Sequence, residues 1–250
     1  MKLVTFNIRC DYGQDGDNAF SRRSPLILAK LNQEQPDIIC FQEVVPHVAI
    51  WLKEKLTEYC VLGCGRSKTL DNEQVTIAFK KDRYNLIQME TYWLSETPYV
   101  PGSRYPEQSD CPRVCTELIL QDQKTGKVFR VINTHLDHIG SLARKLGVGQ
   151  ILRKLGDEHF FADIPVIIAG DLNAEPESEE IRMIEDHPGF VNVTKGIGIT
   201  YHGYGSPDTE CIDYIFVKGG ISSEYVVKWT DTENGIYLSD HYPICAKLHL

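Results

Sequence analysis

Apolar residues in this chain come in short runs, and several of the runs end abruptly in Asn, Asp, Glu or His. Residues 2–8 read as a strand that leaves Asn7 and Arg9 at its carboxyl end, followed by a Gly/Asp-rich loop over 11–18. A helix is predicted from Ser21 or Ser24, with Pro25 in its first turn, Leu28 and Leu31 at helical spacing, and Pro36 as its stop. Residues 37–43 form a buried strand ending in Glu43, and Pro46 opens a second helix with Val48, Leu52 and Leu56 along one face. The opening is therefore strand, helix, strand, helix.

The middle of the chain has few helical signals. Residues 59–62, 75–79, 85–93, 114–120 and 128–135 read as successive strands, and Val114, Thr116, Leu118 and Leu120 alternate with Cys115, Glu117 and Ile119 as a sheet strand requires. That is the grammar of an antiparallel meander. A loop over 95–112, carrying Pro98, Pro101, Pro106 and Pro112, interrupts it and has a length typical of functional or disordered loops. Beyond His135 the pattern of the first half returns. A helix over 141–156, an apolar strand ending at Asp171, a helix over 177–187 and a strand over 211–217 lead to a last strand over 244–250, entered through Ser239-Asp240-His241. Two stacked sheets, each covered by helices on its outer side, bury these runs together, which makes the fold class α/β.

Composition narrows this further. With 250 residues, 42% of them hydrophobic, and no linker or low-complexity block, a single domain over 1–250 is expected. The net charge of -9, with no Lys/Arg run longer than two, leaves no electrostatic footprint for non-specific duplex binding, although a local basic cleft survives in an acidic protein. Eight cysteines in a chain of this length, with no signal-peptide pattern ahead of the first strand, imply reduced thiols, several of them beside apolar runs as at Cys40 and Cys245, in a cytoplasmic protein. The Cys60/Cys64 and Cys111/Cys115 pairs lack the spacing of a zinc site. No apolar stretch approaches the ~20 residues of a membrane span, so no membrane partner is expected, and the chain is expected to be a monomer.

The polar strand ends form a chemical set: Asn7, Glu43, His135, Asp171, Asn173, Asp213, Asp240 and His241. Oxygen donors without a thiolate suit a hard cation, Mg²⁺ or Mn²⁺, with Glu43 as first ligand and Asn7 and Asp240 either on its water shell or bound directly. Such a cation polarises a phosphoryl oxygen. Asp213 behind His241 fixes the imidazole tautomer and favours its charged form; Asp171 and Asn173 would hold an attacking water, and His135 would donate to phosphate. Each element alone has a plainer explanation. Gly170-Asp171-Leu172-Asn173 reads as an ordinary Asx turn, His135 as a satisfied strand-end histidine, and Arg113 as equally suited to a structural carboxylate partner or to phosphate. Glu43, at the end of an apolar strand, is harder to explain away because a charge there is costly without a partner. Recurrence at five strand ends turns the set into a site for metal-assisted hydrolysis.

The segments Thr5-Phe6-Asn7-Ile8-Arg9, Phe41-Gln42-Glu43, Asn133-Thr134-His135, Gly170-Asp171-Leu172-Asn173, Ile212-Asp213-Tyr214-Ile215 and Ser239-Asp240-His241-Tyr242-Pro243-Ile244 resemble, in order and across the whole chain, the signature blocks of the endonuclease/exonuclease/phosphatase superfamily. The resemblance implies a four-layer α/β/β/α sandwich of two mainly antiparallel sheets and divalent-metal phosphoester hydrolysis. It also implies Glu43 as principal Mg²⁺ ligand with Asn7 nearby, Asp240 as a second metal-side carboxylate, His241 supported by Asp213, water orientation by Asp171 and Asn173, and phosphate binding by His135. Finer features, including Trp93-Leu94-Ser95-Glu96-Thr97-Pro98, Pro112-Arg113, Thr134-His135-Leu136-Asp137-His138 and Thr200-Tyr201-His202-Gly203, are similar to a bacterial subgroup that includes maltose phosphate phosphatase. Arg9, Arg113, His138 and His202 are accordingly expected to contact substrate or phosphate. The expected substrate is a small phosphorylated metabolite such as a sugar phosphate. The rival is nucleic acid, cut by a 3'-5' exonuclease or another phosphodiesterase with the same site, and it requires Arg9, Arg104, Arg113 and the lysines to line a groove longer than one phosphate. A catalytically inactive binding module requires the loss of a block, and none is missing.

Overall fold

Alternation along each strand decides which layer its side chains enter, and two sheets stacked face to face give every strand an inner and an outer side. The computed structural model describes residues 1–157 and 161–250. In chain order the elements are β1 (Lys2–Asn7), α1 (Phe20–Glu34), β2 (Ile38–Val44), α2 (Pro46–Lys55), β3 (Tyr59–Leu62), β4 (Gln74–Lys80), β5 (Tyr84–Trp93), β6 (Val114–Asp122) and β7 (Val128–His135). The second half holds α3 (Ser141–Asp157), β8 (Val166–Asp171), α4 (Glu179–Glu185), β9 (Val191–Asn192), β10 (Asp213–Lys218), β11 (Ser222–Lys228), β12 (Thr232–Glu233), β13 (Ile236–Tyr237) and β14 (Ile244–His249).

Two six-stranded sheets result, in the orders β11-β14-β1-β2-β4-β3 and β5-β6-β7-β8-β10-β9, with β12 and β13 as a separate ribbon. Pairing is antiparallel except for β1 with β2 and β7 with β8. Val4, Phe6, Ile39 and Phe41 point outward onto Ile27, Leu31, Val48 and Leu52 of α1 and α2. Ile132, Ile168 and Phe216 point outward on the second sheet, onto Val148, Ile151, Ile181 and Ile184 of α3 and α4. Between the sheets, Leu3, Ile38, Cys40, Leu118, Val131, Ile167, Ile215 and Ala246 form the inner core. The four layers expected from the resemblance are all present.

Differences from the sequence reading have local causes. Helix α1 begins at Phe20, one residue before Ser21, the earlier of the two expected starts, so Pro25 sits in its second turn and Phe20 and Arg23 face inward. Arg23 interrupts the apolar stripe because its guanidinium donates to four carbonyl oxygens, at Asn18 (2.6 Å), Ile8 (2.7 Å), Leu238 (2.9 Å) and Arg9 (3.3 Å). Strand β11 carries only Tyr225-Val226-Val227 as an apolar signal and lies at a sheet edge, with a register shift between Ser223 and Tyr225, which is why alternation does not announce it. All eight cysteines are free.

Strands β7 and β8 approach unusually closely at Gly170, whose φ is +149° and where an added Cβ would lie 2.0 Å from the Thr134 carbonyl oxygen. Replacing Gly170 with alanine is expected to destabilise the protein by about 3 kcal/mol, read as a lower urea midpoint at unchanged slope. A variant as stable as the parent would show that this strand pair is free to separate.

Candidate active site

The strand ends that carry polar residues are continuations of the inner core. Leu3, Thr5 and Asn7 share one side of β1, and Phe129, Val131, Asn133 and His135 share one side of β7. The same parity puts Asp171 two residues past Ala169, and Asp213 two residues before Ile215, with Asp171 opposite both His135 and Asp213. Glu43 breaks the rule. Parity would send it outward with Phe41, but β2 changes register between Phe41 and Val44 and Glu43 takes a left-handed backbone, φ 61°, which turns its carboxylate inward. Arg9 and Asn173 also sit in the left-handed region, at φ 62° and 48°, so strained non-glycine residues gather here.

Asn7 is the hub. Its amide nitrogen donates to Glu43 Oε1 and to Asp171 Oδ2, both at 3.0 Å, and lies 3.4 Å from His241 Nε2. Its own side-chain oxygen accepts the Arg9 N–H at 3.0 Å, so Asn7 presents nitrogen, not oxygen, to Glu43 in this arrangement. Glu43 Oε2 accepts the Cys10 N–H at 2.8 Å. His241 Nδ1 donates to Asp213 Oδ2 at 2.8 Å, and its Nε2 is 3.8 Å from Asp171 Oδ2, which is also 3.4 Å from His135 Nε2. Asn173 closes the predicted Asx turn, its N–H donating to Asp171 Oδ1 at 2.9 Å.

Burial and neighbours push these groups apart in acidity. Burial, reinforced by the Asp213 charge, raises Asp171 to about 7. Burial opposes protonation of His241, but the Asp213 carboxylate outweighs it and raises the imidazole to about 10. Burial likewise opposes ionisation of Glu43, yet His135, Asn7 and the Cys10 N–H together hold it well below the usual carboxylate range. Burial, with the Arg113 charge beside it, lowers His135 well below the ordinary histidine value, and the Glu43 carboxylate opposes that shift.

Glu43, His135, Asp171, Asn173, Asp240 and His241 line a cleft of about 370 Å³, whose lining Asn7 and Asp213 do not reach. Of the expected substrate contacts, Arg9, Arg113 and His138 line it and His202 does not. Arg9 is held by Asp15 at 3.2 Å and by Asp240 at 3.4 Å. His202 is a correction to the sequence reading: it is buried beneath the cleft, stacked 3.9 Å from the Tyr242 ring, and its N–H donates to the Asp240 carbonyl at 2.9 Å. Arg104 also stays away, donating to the Ser109 carbonyl at 2.7 Å within its own loop. Periodicity gave no sign of Arg66, Glu73, Tyr201 and Glu210, which line the cleft from loops or strand margins. Arg23 left a trace, as a charge at an apolar position of α1.

The donor set fits a hard divalent cation. Glu43, His135 and Asp171 bring ligand atoms within 4.8 Å of one another, as do Asp171, Asp213 and His241, and no thiolate joins either group. Among the described residues no helix is long and apolar enough to cross a membrane.

Known proteins match this arrangement along its full length. A structure of an endonuclease/exonuclease/phosphatase from Bacteroides vulgatus is 29% identical, with a TM-score of 0.93 over 100% of this chain and 98% of that one. A functionally unknown conserved protein from Enterococcus faecalis is 31% identical, with a TM-score of 0.90 over 100% and 99%. A mannosyl-6-phosphatase from Bacteroides thetaiotaomicron is 24% identical, with a TM-score of 0.90 over the whole of both chains, 100% of each. The model of the Endonuclease/Exonuclease/phosphatase family matches residues 4–241, and the chain belongs to that family of metal-dependent phosphoester hydrolases.

Proposed function

We propose that this enzyme is a Mg²⁺- or Mn²⁺-dependent phosphatase acting on a small phosphorylated metabolite such as a sugar phosphate. The observation that carries the reading is the cleft itself. About 370 Å³ suits one small molecule, and among the described residues its lining carries the guanidiniums of Arg9, Arg66 and Arg113 and the imidazolium of His241 but no lysine. Arg9 is already paired with Asp15 and Asp240. A nucleic-acid enzyme needs a cationic track that follows several phosphates, and nothing in this lining continues past one. The fold does not choose between the two, because one scaffold carries many chemistries.

Glu43 would hold the cation, with Asp171 and His135 beside it and Asp240 on the same side of the cleft. The cation supplies charge neutralisation at the phosphoryl oxygens. Asp171, raised to about 7 and with Asn173 locked beside it, takes the proton of the attacking water. The Asp213 carboxylate favours the protonated imidazole of His241, which suits it to donate from Nε2 to the phosphoryl group while Asp213 holds the ring. Two groups with acidities pushed in opposite directions thus take separate roles.

The deciding experiment is Mn²⁺-supported turnover on sugar phosphates and on a labelled single-stranded oligonucleotide, with Asp171→Ala as the contamination control. Phosphate release from the sugars is expected; shortening of the oligonucleotide at comparable efficiency would make the enzyme a nuclease. Glu43→Gln is expected to weaken Mn²⁺ binding in calorimetry by about tenfold or more, whereas His241→Ala keeps the metal and loses about 10²–10⁴ in turnover. Full activity in both would remove the role assignment. The pH profile follows from the signs above. Activity climbs as Asp171 ionises, on a limb at or below about 7, because a bound cation favours the carboxylate. It falls again as His241 loses its proton near 10. A profile with neither limb, flat from about pH 4 to about pH 11, would contradict this division of labour.

A further inference from the structure

On the side of the cleft away from Asp213 and His241 stand two buried guanidiniums, neither of which periodicity or the metal chemistry requires. Arg113 is 3% exposed and Arg66 is 6% exposed. Arg113 is held from behind: its Nε is 3.5 Å from Asp137 Oδ1 and its Nη2 donates to His138 Nδ1 at 2.8 Å. Asp137 is itself fixed by Ser109, which donates to it from both Oγ and N–H, and by the Ile139 and Gly140 N–H groups at 3.2 and 2.7 Å. Arg66 Nη2 donates to Glu73 Oε1 at 2.8 Å, and its carbonyl is pinned by the Trp93 indole N–H at 2.6 Å. Among the described residues, Arg113 Nη1 and Arg66 Nε have no hydrogen-bond partner. Buried donors of a charged group are rarely left unmade, and here both belong to residues that line the same cleft. Behind them, the space bounded by Glu73, Val75 and Val114 is too narrow for a water molecule.

We infer that Arg66 and Arg113 form the subsite for a terminal, dianionic phosphate, and that they make the enzyme select phosphomonoesters over phosphodiesters. A monoester has one more unesterified oxygen than a diester and close to one more negative charge near neutral pH. Two guanidinium forks beside His135 supply donors for that extra oxygen, in a geometry that matches phosphate. The space bounded by Glu73, Val75 and Val114 admits no water molecule and so gives a second ester arm no room there. The arm of the substrate that does leave runs toward Tyr201 and Glu210, at the other side of the cleft. This deepens, and rests on, the phosphatase reading of the same site.

The test compares kcat/KM for a phosphomonoester, p-nitrophenyl phosphate, and a phosphodiester, bis(p-nitrophenyl) phosphate. It is run beside calorimetric binding of inorganic phosphate, on the parent, Arg66→Gln and Arg113→Lys. The lysine variant keeps the charge opposite Asp137, so that a folded protein remains to be measured. In both variants the monoester-to-diester ratio and the affinity for inorganic phosphate are expected to fall about tenfold or more. A parent that hydrolyses sugar phosphates, with variants that keep both ratio and phosphate affinity, would overturn the subsite and leave the phosphatase reading standing. Equal losses on both esters with unchanged phosphate affinity would also overturn it. Weakened phosphate binding in variants of a parent that leaves sugar phosphates untouched would uphold the anion subsite and remove the phosphatase reading.

Discussion

Beneath the cleft, two amide side chains tie the sheets together. Gln42 donates to Asn133 Oδ1 at 2.7 Å, and Asn133 donates back across the sandwich to the carbonyls of Phe41 and Thr76, each at 2.9 Å. Both are fully enclosed at the inner faces of β2 and β7. Apolar packing between sheets tolerates sliding, because dispersion contacts have little direction, whereas a buried amide ladder has one register at which its donors are satisfied. That register sets Asn7 of one sheet against Asp171 of the other, where strand pairing already aligns His135, Asp171 and Asp213.

Once the sheets are fixed, the site needs only a few departures from regular geometry. The inner parity delivers neutral and basic groups and two aspartates to the mouth of the sandwich, and the bulge at Glu43 adds the carboxylate that parity would have wasted on the outer face. Ser239 then ties the loop before β14 to β1 by donating from its hydroxyl to the Asn7 carbonyl at 2.6 Å. On the opposite strand, Thr200 accepts the N–H groups of Ile212 and Asp213 at 2.9 and 3.1 Å. His241 and Asp213 are therefore anchored from separate segments, and their contact survives only while both anchors hold. The acidity of Asp171 is a consequence: burial and the Asp213 charge raise it, against the Asn7 amide that donates to it.

How far the sequence discloses this depends on whether a residue's position follows from periodicity. Asn7, His135, Asp171 and Asp213 were legible because each extends an inner-face pattern by one step of two, and the same pattern foretold both sheets and their helical covers. Glu43 was legible as an anomaly, a charge ending an apolar strand, though nothing in the chain announces the bulge that reorients it. Arg66 and Glu73 were not legible, since loops bring them in and loops carry no period. His202 misled for a related reason: it belongs to a motif whose backbone, and not its imidazole, serves the site.

Charge illustrates the same division. A chain of net charge -9 suggests an anion-repelling surface, yet Arg23, Arg66, Arg113 and Arg130 are all buried. Each is oriented by fixed partners: carbonyls for Arg23, Glu73 for Arg66, Asp137 for Arg113 and Glu117, at 3.1 Å, for Arg130. An arginine held in this way loses little on meeting a ligand, because its desolvation and ordering are already complete when the fold forms. Local field and total charge are thereby uncoupled. The acidic exterior weakens long-range attraction for every polyanion, while the few guanidiniums that reach the cleft act at contact distance, where the low dielectric strengthens them.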